Sequence, residues 1–502
     1  MRSEVEMGKV LLFATLFFLA VFYLFQYGSL AWDGDKTLVI VTADELDKFE
    51  PASVEISRAN VTAPVFETLV EAGDKRGQYL PKLAEKWDCS SDGKVWNFFL
   101  HREILAHDGH ILKAQDVVRS FARPQVERIL SCFNIRVKIE AVDDFVVQFR
   151  LERPVAYFLD IVAWPCMAVV KEDESGILWG TGPFVLEELR PYNRLSLRAF
   201  EQYWQDSAKV KKIIFVHLAE ESHRIRELKK LNADVAFDID NRGDKENFEF
   251  VLSPSWKRTV LIMNCKNRPF NEIKGRVALQ SGLNKKELVS KFFPDTFWAC
   301  SDYLTPDSWA CSSELKARDF NVALARRIFQ KSESVNADNC TSLSVLTSKI
   351  DSDRYKDLDN YLVQELKNSG LILNVVELED AEFKTVINRG LYELAILTED
   401  IPCVDPGLEL ELDWGRRIVF DSFVNVSNFE SGHVLALLDK ARLDGDQKQR
   451  KDYYERVQYK LNESAAIYNV AWCHRKDGVG KKVRNWSYNR LGVVRYEKVS
   501  LQ

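Results

Sequence analysis

The 502-residue sequence contains no G-x-S-x-G, no H-E-x-x-H and no P-loop. Those absences remove the motif-bearing serine hydrolases, zinc proteases and P-loop nucleotide-binding proteins. Histidine is scarce, with seven residues, and it gathers only at His107-Asp108-Gly109-His110, where a tight turn is the plainer reading than a metal pair. No C-x-x-C occurs, so a zinc knuckle or a thioredoxin-type site has no support. No basic stripe stands out among 69 basic and 75 acidic residues, net charge −6, so nucleic acid is not an expected partner. Internal repeats and low-complexity stretches are absent as well. So many acids always offer carboxylate pairs, but nothing selects one, and an enzyme is not expected.

The nine cysteines are Cys89, Cys132, Cys166, Cys265, Cys300, Cys311, Cys340, Cys403 and Cys473. An odd, scattered set is not a disulfide framework, and most of them read as small buried apolar side chains. Cys300 and Cys311 each close a Trp-Ala-Cys triplet, and a local disulfide between them fits an oxidising compartment.

At this length the chain divides into two or three compact units. Apolar content of 46% and charged content of 29% are ordinary for folded domains. The twelve Trp and thirty Phe fill cores or line a cleft. Val10 to Phe25 is apolar throughout. Spanning a membrane takes about 20 apolar residues, whereas a secretory signal takes about 7–15 and a small-residue cleavage site, such as Ser29-Leu30-Ala31. Residues 1–32 are therefore a signal peptide or a membrane anchor, and the chain beyond is exported. With no cysteine near the end of this run, lipid anchoring is not expected. No second span follows.

The most organised stretch is Tyr79 to Arg123. Asp92-Gly93 and Asp108-Gly109 are tight-turn pairs. Trp96, Phe98 and Leu100 alternate with Val95, Asn97 and Phe99 as in a strand with one buried face. Val117, Val118 and Phe121 follow at helical spacing, with Asp116 in the first turn. The unit thus reads strand, turn, strand, turn, helix.

This order of parts resembles the peptide/nickel-type (family 5) solute-binding proteins of ABC importers. The match runs through Pro81, Leu83, Ala84, Trp87, Asp92, Gly93, His107, Asp108, Gly109, Leu112, Ala114, Asp116, Val117, Ser120 and Phe121. Ala106 replaces the usual Phe. Lys113 replaces the Thr that caps the helix, a loss of typically about 1 kcal/mol. Around it, Val61–Val70 resembles a short helix carrying "Y-E-x-L", with Phe66 for Tyr. Ile135–Leu151 resembles the family hairpin, Gly180-Thr181-Gly182-Pro183-Phe184 its rigid turn, and Arg198–Trp204 its "R-N-x-x-Y-W". The resemblance extends over about 36–490 and loosens after Leu304. Downstream, periodicity predicts strands at Val260–Asn264, Leu343–Leu346, Leu371–Val376, Tyr392–Leu397 and Ala466–Cys473. Helices are predicted at Tyr355–Ser369 and Glu430–Tyr459, and the strand-helix-strand order predicts a parallel sheet.

The resemblance implies an α/β fold: a two-lobed periplasmic-binding-protein clamp of type II with an extra subdomain. Lobe one is expected over 36–256 with the subdomain at about 75–175, lobe two over 257–473, and a return to lobe one over 474–502. It implies a monomeric extracytoplasmic receptor that binds a small solute, most simply a peptide, and hands it to an ABC permease. No cofactor or metal is expected. A membrane-tethered sensor built on the same clamp is the alternative, and a hydrolase the weaker third. Peptide-binding members catch the ligand ammonium with an Asp after a strand of lobe two. Asp400 matches it, although the spacing to Pro406 is two residues longer and the preceding Trp is missing. The position that meets the ligand carboxylate falls at Lys349, which lacks the bidentate fork of the usual Arg. A solvated loop aspartate and a surface lysine are the plain alternatives.

Overall fold

A computed structural model describes residues 36–53, 56–239, 247–293, 303–312, 314–315, 317–331, 341–402, 404–415 and 425–502. The apolar run Val10–Phe25 lies outside them, and no described helix is long and apolar enough to cross a membrane.

The first elements among the described residues are β1 (Thr37–Thr42) and α1 (Ile56–Thr62). Helix α1 stops at Thr62, and Phe66-Glu67 sits beyond it, not on the expected helix. Pro64 is the reason, since a following proline pushes Ala63 out of helical geometry. The organised stretch folds as expected: β2 (Ala84–Cys89) pairs with β3 (Val95–Leu100) across the first Asp-Gly turn. Gly93 and Gly109 have φ of +70° and +82°, the left-handed conformation for which glycine is suited. Helix α2 (Ala114–Phe121) follows. Lys113 gives it no side-chain cap, but the Asp116 carboxylate accepts the Lys113 backbone N–H at 2.9 Å and partly replaces the missing threonine. Strands β4 (Val137–Asp143) and β5 (Val146–Leu151) complete a four-stranded antiparallel sheet in the order β2-β3-β5-β4. One apolar core, built mostly between Ala59 and Val169, lies against it.

The main sheet follows. Its strands are β6 (Phe184–Arg190), β7 (Arg194–Ala199), β8 (Lys212–His217), β9 (Val235–Ala236), β10 (Phe248–Met263), β11 (Thr341–Ser348), β12 (Leu371–Leu378) and β13 (Leu394–Ile401), joined by β1 and by β14 (Ile467–Gly480). The order is β6-β7-β8-β1-β9-β14-β10-β13-β11-β12. Helix α3 (Lys349–Asn368) connects the parallel pair β11 and β12, the crossover expected from the sequence, and buries Leu358, Leu362 and Leu366. Gly370 ends it at φ +84°. Further on lie α4 (Pro406–Trp414), α5 (Gly432–Leu443) and α6 (Gln447–Ser464). The single helix expected over Glu430–Tyr459 is therefore two. Asp444-Gly445-Asp446 breaks it, and Asp446 caps the second by accepting the Gln449 N–H at 2.9 Å.

Strands β10 and β14 are 16 and 14 residues long, well beyond their predicted spans. They pair antiparallel along most of their length, with a register irregularity between Leu252 and Trp256 at Ser253-Pro254-Ser255. On one side of it β14 pairs with β9. On the other, β10 pairs with β13 over Trp256–Met263.

The family-like motifs converge on one buried carboxylate. Glu67 accepts hydrogen bonds from Thr181 (2.9 Å), Tyr203 (2.7 Å) and Trp204 (3.0 Å) and pairs with Lys82 at 3.0 Å. The Gly-Thr-Gly turn presses on the loop that carries it. A Cβ at Gly180 would stand 1.9 Å from the Val65 carbonyl oxygen. His107, on the second Asp-Gly turn, ties that turn to the Gly-Thr-Gly turn: its Nε2 bonds the Gly182 carbonyl at 2.8 Å. Among the described residues no three side chains are grouped to hold a metal. Cys311 is disulfide-bonded, and its expected partner Cys300 lies outside the described residues.

Candidate functional site

Asp400 is not on a loop. Strand β13 continues past Leu397 to Ile401, and Asp400 stands opposite Lys257 of β10. Beyond Lys257, on β14, is Cys473. Alternate residues of a strand point to opposite faces, so the register sorts the polar side chains here into two sets.

One face carries Trp256, Arg258, Glu399, Ile401, Trp472 and His474. Arg258 is buried, donates to Glu399 at 2.9 Å, and forks onto both Asp413 oxygens at 2.7 and 3.0 Å. Its guanidinium lies 5.4 Å from the Trp472 ring centre. Trp256 stacks on His474 at 4.0 Å and donates to Asp307 at 2.8 Å. Burial pushes the Glu399 carboxyl above its usual range, against the pull of Arg258.

The other face carries Lys257, Asp400 and Arg475. The Lys257 ammonium pairs with Asp238. Arg475 pairs with Asp477 at 3.2 Å, and Asp477 also accepts the Tyr488 hydroxyl at 2.7 Å and the Asp238 backbone N–H at 3.0 Å. Asp400 is treated differently. Its Oδ1 is shut off from solvent with no hydrogen-bond partner. Burial raises its carboxyl above the ordinary range; Lys257 and Arg475 pull it down, while Asp238 and Asp44 push it up. Asp44 and Asp238 follow the carboxyl ends of β1 and β9, which run parallel. Asp400 lies at the carboxyl end of β13. Ligands of open α/β sheets sit in this position, outside the carboxyl ends of strands.

Lys349 opens α3 at the carboxyl end of β11. That strand runs parallel to β13, with Leu346 opposite Ala395, so Lys349 emerges at the same end of the sheet as Asp400. Its side chain is 59% exposed and pairs with Glu379 at 2.9 Å.

Around this end of the sheet, distant parts of the chain meet. Arg76 donates to Thr305 and Asp307, both at 2.9 Å, and to the Val404 carbonyl. The Ala156 N–H donates to the Arg442 carbonyl at 2.8 Å. Helix α4 lies at this junction with its acids buried. Asp405 pairs with Arg450 at 2.8 Å and Glu411 with Arg442 at 3.0 Å. Burial pushes the Glu409 carboxyl up to about 8. A Cβ at Gly407 would come within 2.7 Å of the Tyr157 ring, so glycine lets that ring close onto the helix.

Sequence reasoning missed Lys257, Arg475, Asp238 and Asp44. The available signal was a run of adjacent charges inside strand-like sequence, Trp256-Lys257-Arg258 and His474-Arg475-Lys476-Asp477. A central strand carries such a run only when both of its faces meet polar partners.

A family model described as bacterial extracellular solute-binding proteins, family 5 (middle), matches residues 78–400. The dipeptide-binding protein of Escherichia coli K12 is 20% identical, over 93% of this chain and 95% of its own length. A probable D,D-dipeptide-binding periplasmic protein of the same organism is 24% identical, over 90% and 92%. Among solved structures, the Helicobacter pylori periplasmic binding protein DppA in complex with the peptide STSA aligns with TM-score 0.83 at 19% identity, covering 93% of this chain and 99% of that one. NikZ of Campylobacter jejuni in complex with Ni(L-His) aligns with TM-score 0.81 at 22% identity, covering 93% and 100%.

Proposed function

Because this chain belongs to the bacterial extracellular solute-binding proteins of family 5, we propose that it is an extracytoplasmic receptor that closes on a peptide and presents it to the permease of an ABC importer. Two relatives named for dipeptides support the peptide class. The observation that carries the reading is the sealed, unpartnered Oδ1 of Asp400. A buried carboxylate oxygen without a donor is costly to keep, and a ligand ammonium supplies both the missing donor and the missing charge.

The proposed clamp has lobe one over 36–256 and 474–502, and lobe two over 257–473. Strands β10 and β14 cross between them, and the register irregularity at Ser253-Pro254-Ser255 gives a natural bending point. Arg76, Tyr157 and α4 form the contacts that closing brings together, and the closed shape is what a permease would recognise. An extended peptide lies with its ammonium on Asp400. Lys349 gives up Glu379 to meet the far carboxylate, as a single charge and not as a fork. No chemistry is performed on the ligand.

Incubating the protein with a defined library of short peptides tests the function. A receptor raises its melting temperature with particular peptides, by ligand linkage, and leaves every library mass unchanged. New, shorter masses would identify a hydrolase and overturn the reading.

A further inference from the structure

Strands β8, β1 and β9 begin together, at the far end from Asp44 and Asp238. Lys36 precedes β1, and its carbonyl accepts the Lys211 N–H at 2.9 Å. Thr37 stands opposite Lys212. Asp234, just ahead of β9, accepts the Val39 N–H at 2.8 Å and pairs with Lys482 at 2.6 Å. Its backbone carbonyl accepts the Gly480 N–H at 2.7 Å. The Lys481 N–H donates to the Asn247 carbonyl at 3.2 Å. The Asn247 amide in turn donates to the Lys229 carbonyl at 3.2 Å, where the helix Glu221–Lys229 ends. Arg484 donates to the Lys481 carbonyl. These contacts gather Lys36, Lys211, Lys229, Lys230, Lys481 and Arg484 at one end of the sheet, and all six are exposed.

The acids there do not answer them. Asp234 is buried and matched to Lys482, and Glu187 is matched to Lys212. Glu201 and Asp206, between β7 and β8, offset Arg198 and Lys209. Glu249 of β10 is left, exposed. Among the described residues none of the six bases has an acid within ion-pair distance. The whole chain carries a net charge of −6, so this face runs against the sign of the molecule. Leu231, next to Lys230, is 64% exposed.

We propose that this face docks on an anionic lipid surface, with its bases among the phosphate headgroups and Leu231 at the acyl boundary. Clustered Lys and Arg are drawn to anionic bilayers, and a neighbouring apolar side chain adds buried area at the interface. The sequence also leads to a bilayer from here. Ten residues, 26–35, separate Lys36 from the apolar run Val10–Phe25, and ten residues reach at most about 35 Å. Asp33 and Asp35 in that link trim the surplus of bases and do not reverse it. The proposal is independent of the ligand class, and docking leaves the ligand end of these strands uncovered.

Sedimentation of the exported chain with lipid vesicles tests this. Vesicles of phosphatidylglycerol and phosphatidylcholine in equal parts should take up the protein at least about tenfold more strongly than phosphatidylcholine alone at low salt. The excess should vanish toward about 0.5 M salt, where surface charges are screened. Lys229→Glu, Lys230→Glu and Lys481→Glu combined should abolish the preference. The same change of charge at Arg136, Lys138 and Arg150, all exposed around β4 and β5, should leave most of it. If the first triple variant does not fold, acetylation of the wild-type lysines serves instead: anionic vesicles should shield Lys229, Lys230 and Lys481 and leave Lys138 open. Equal uptake by both kinds of vesicle would overturn the proposal and leave the face to an acidic protein partner. A preference lost equally in both triple variants, or shielding spread evenly over the lysines, would assign binding to charge at large and overturn the role of this face.

Discussion

Replacing Asp400 with Asn weakens peptide binding by roughly 2–5 kcal/mol, the usual loss when one member of a desolvated charge pair is truncated. That corresponds to a dissociation constant raised from about thirtyfold to several thousandfold. The empty protein should melt at nearly the same temperature or slightly higher. Asp400 makes no hydrogen bond through Oδ1, so Asn removes a buried charge that the empty state does not use, a familiar exchange of function for stability. The pH dependence follows from the direction of the shift. Burial holds the Asp400 carboxyl above its ordinary range, whereas a bound ammonium favours the ionised form. Binding therefore releases a proton wherever Asp400 is protonated in the empty protein. Wild-type affinity falls as pH drops through the raised value, and Asp400→Asn lacks that dependence. Calorimetry in two buffers of different ionisation heat reads both effects. Equal affinities for wild type and variant would show that another group anchors the ligand.

Replacing Arg258 with Met is expected to have the largest effect on stability. Arg258 is 3% exposed and holds Glu399 and Asp413 together. Methionine fills much of the volume but leaves two carboxylates buried without a base. Breaking such a group by removing one member costs about 3–5 kcal/mol. The deficit should shrink as pH falls. Glu399 is already above the usual carboxylate range with Arg258 present; without the guanidinium it rises further, and protonation then removes the buried charge. In linkage terms, the native variant binds more protons than its unfolded chain, so its stability rises as pH falls toward the unfolded value. Denaturant unfolding at neutral and mildly acidic pH checks both parts. A variant as stable as wild type at neutral pH would show that the two carboxylates find other compensation.

What could be read in the sequence was local. The turns at Gly93 and Gly109, the alternation from Trp96 to Leu100 and the periodicity of Leu358, Leu362 and Leu366 each depend on residues a few positions apart, and each appears in the fold. The family-like motifs were legible singly. Their convergence on Glu67 was not, because Lys82, Thr181 and Tyr203 reach it from separate elements. The candidate site failed to read for the same reason. Asp400 looked like a loop residue because Thr398-Glu399-Asp400 breaks the apolar pattern. It extends β13 because Lys257 and Arg258 of β10, far away in the sequence, meet those acids in register. No periodicity within β13 carries that information. Helix α1 and the split between α5 and α6 were misjudged through underweighting of Pro64 and Gly445, both strong local breakers.

Native mass spectrometry of the freshly purified, exported chain tests the central claim most directly. A clamp that closes on peptide should carry excess mass that leaves on unfolding and fragments as a peptide with a free amino terminus. The same measurement on Asp400→Asn should show the bare chain. Wild-type protein that weighs only as much as its own polypeptide, before and after incubation with the peptide library, would contradict the claim.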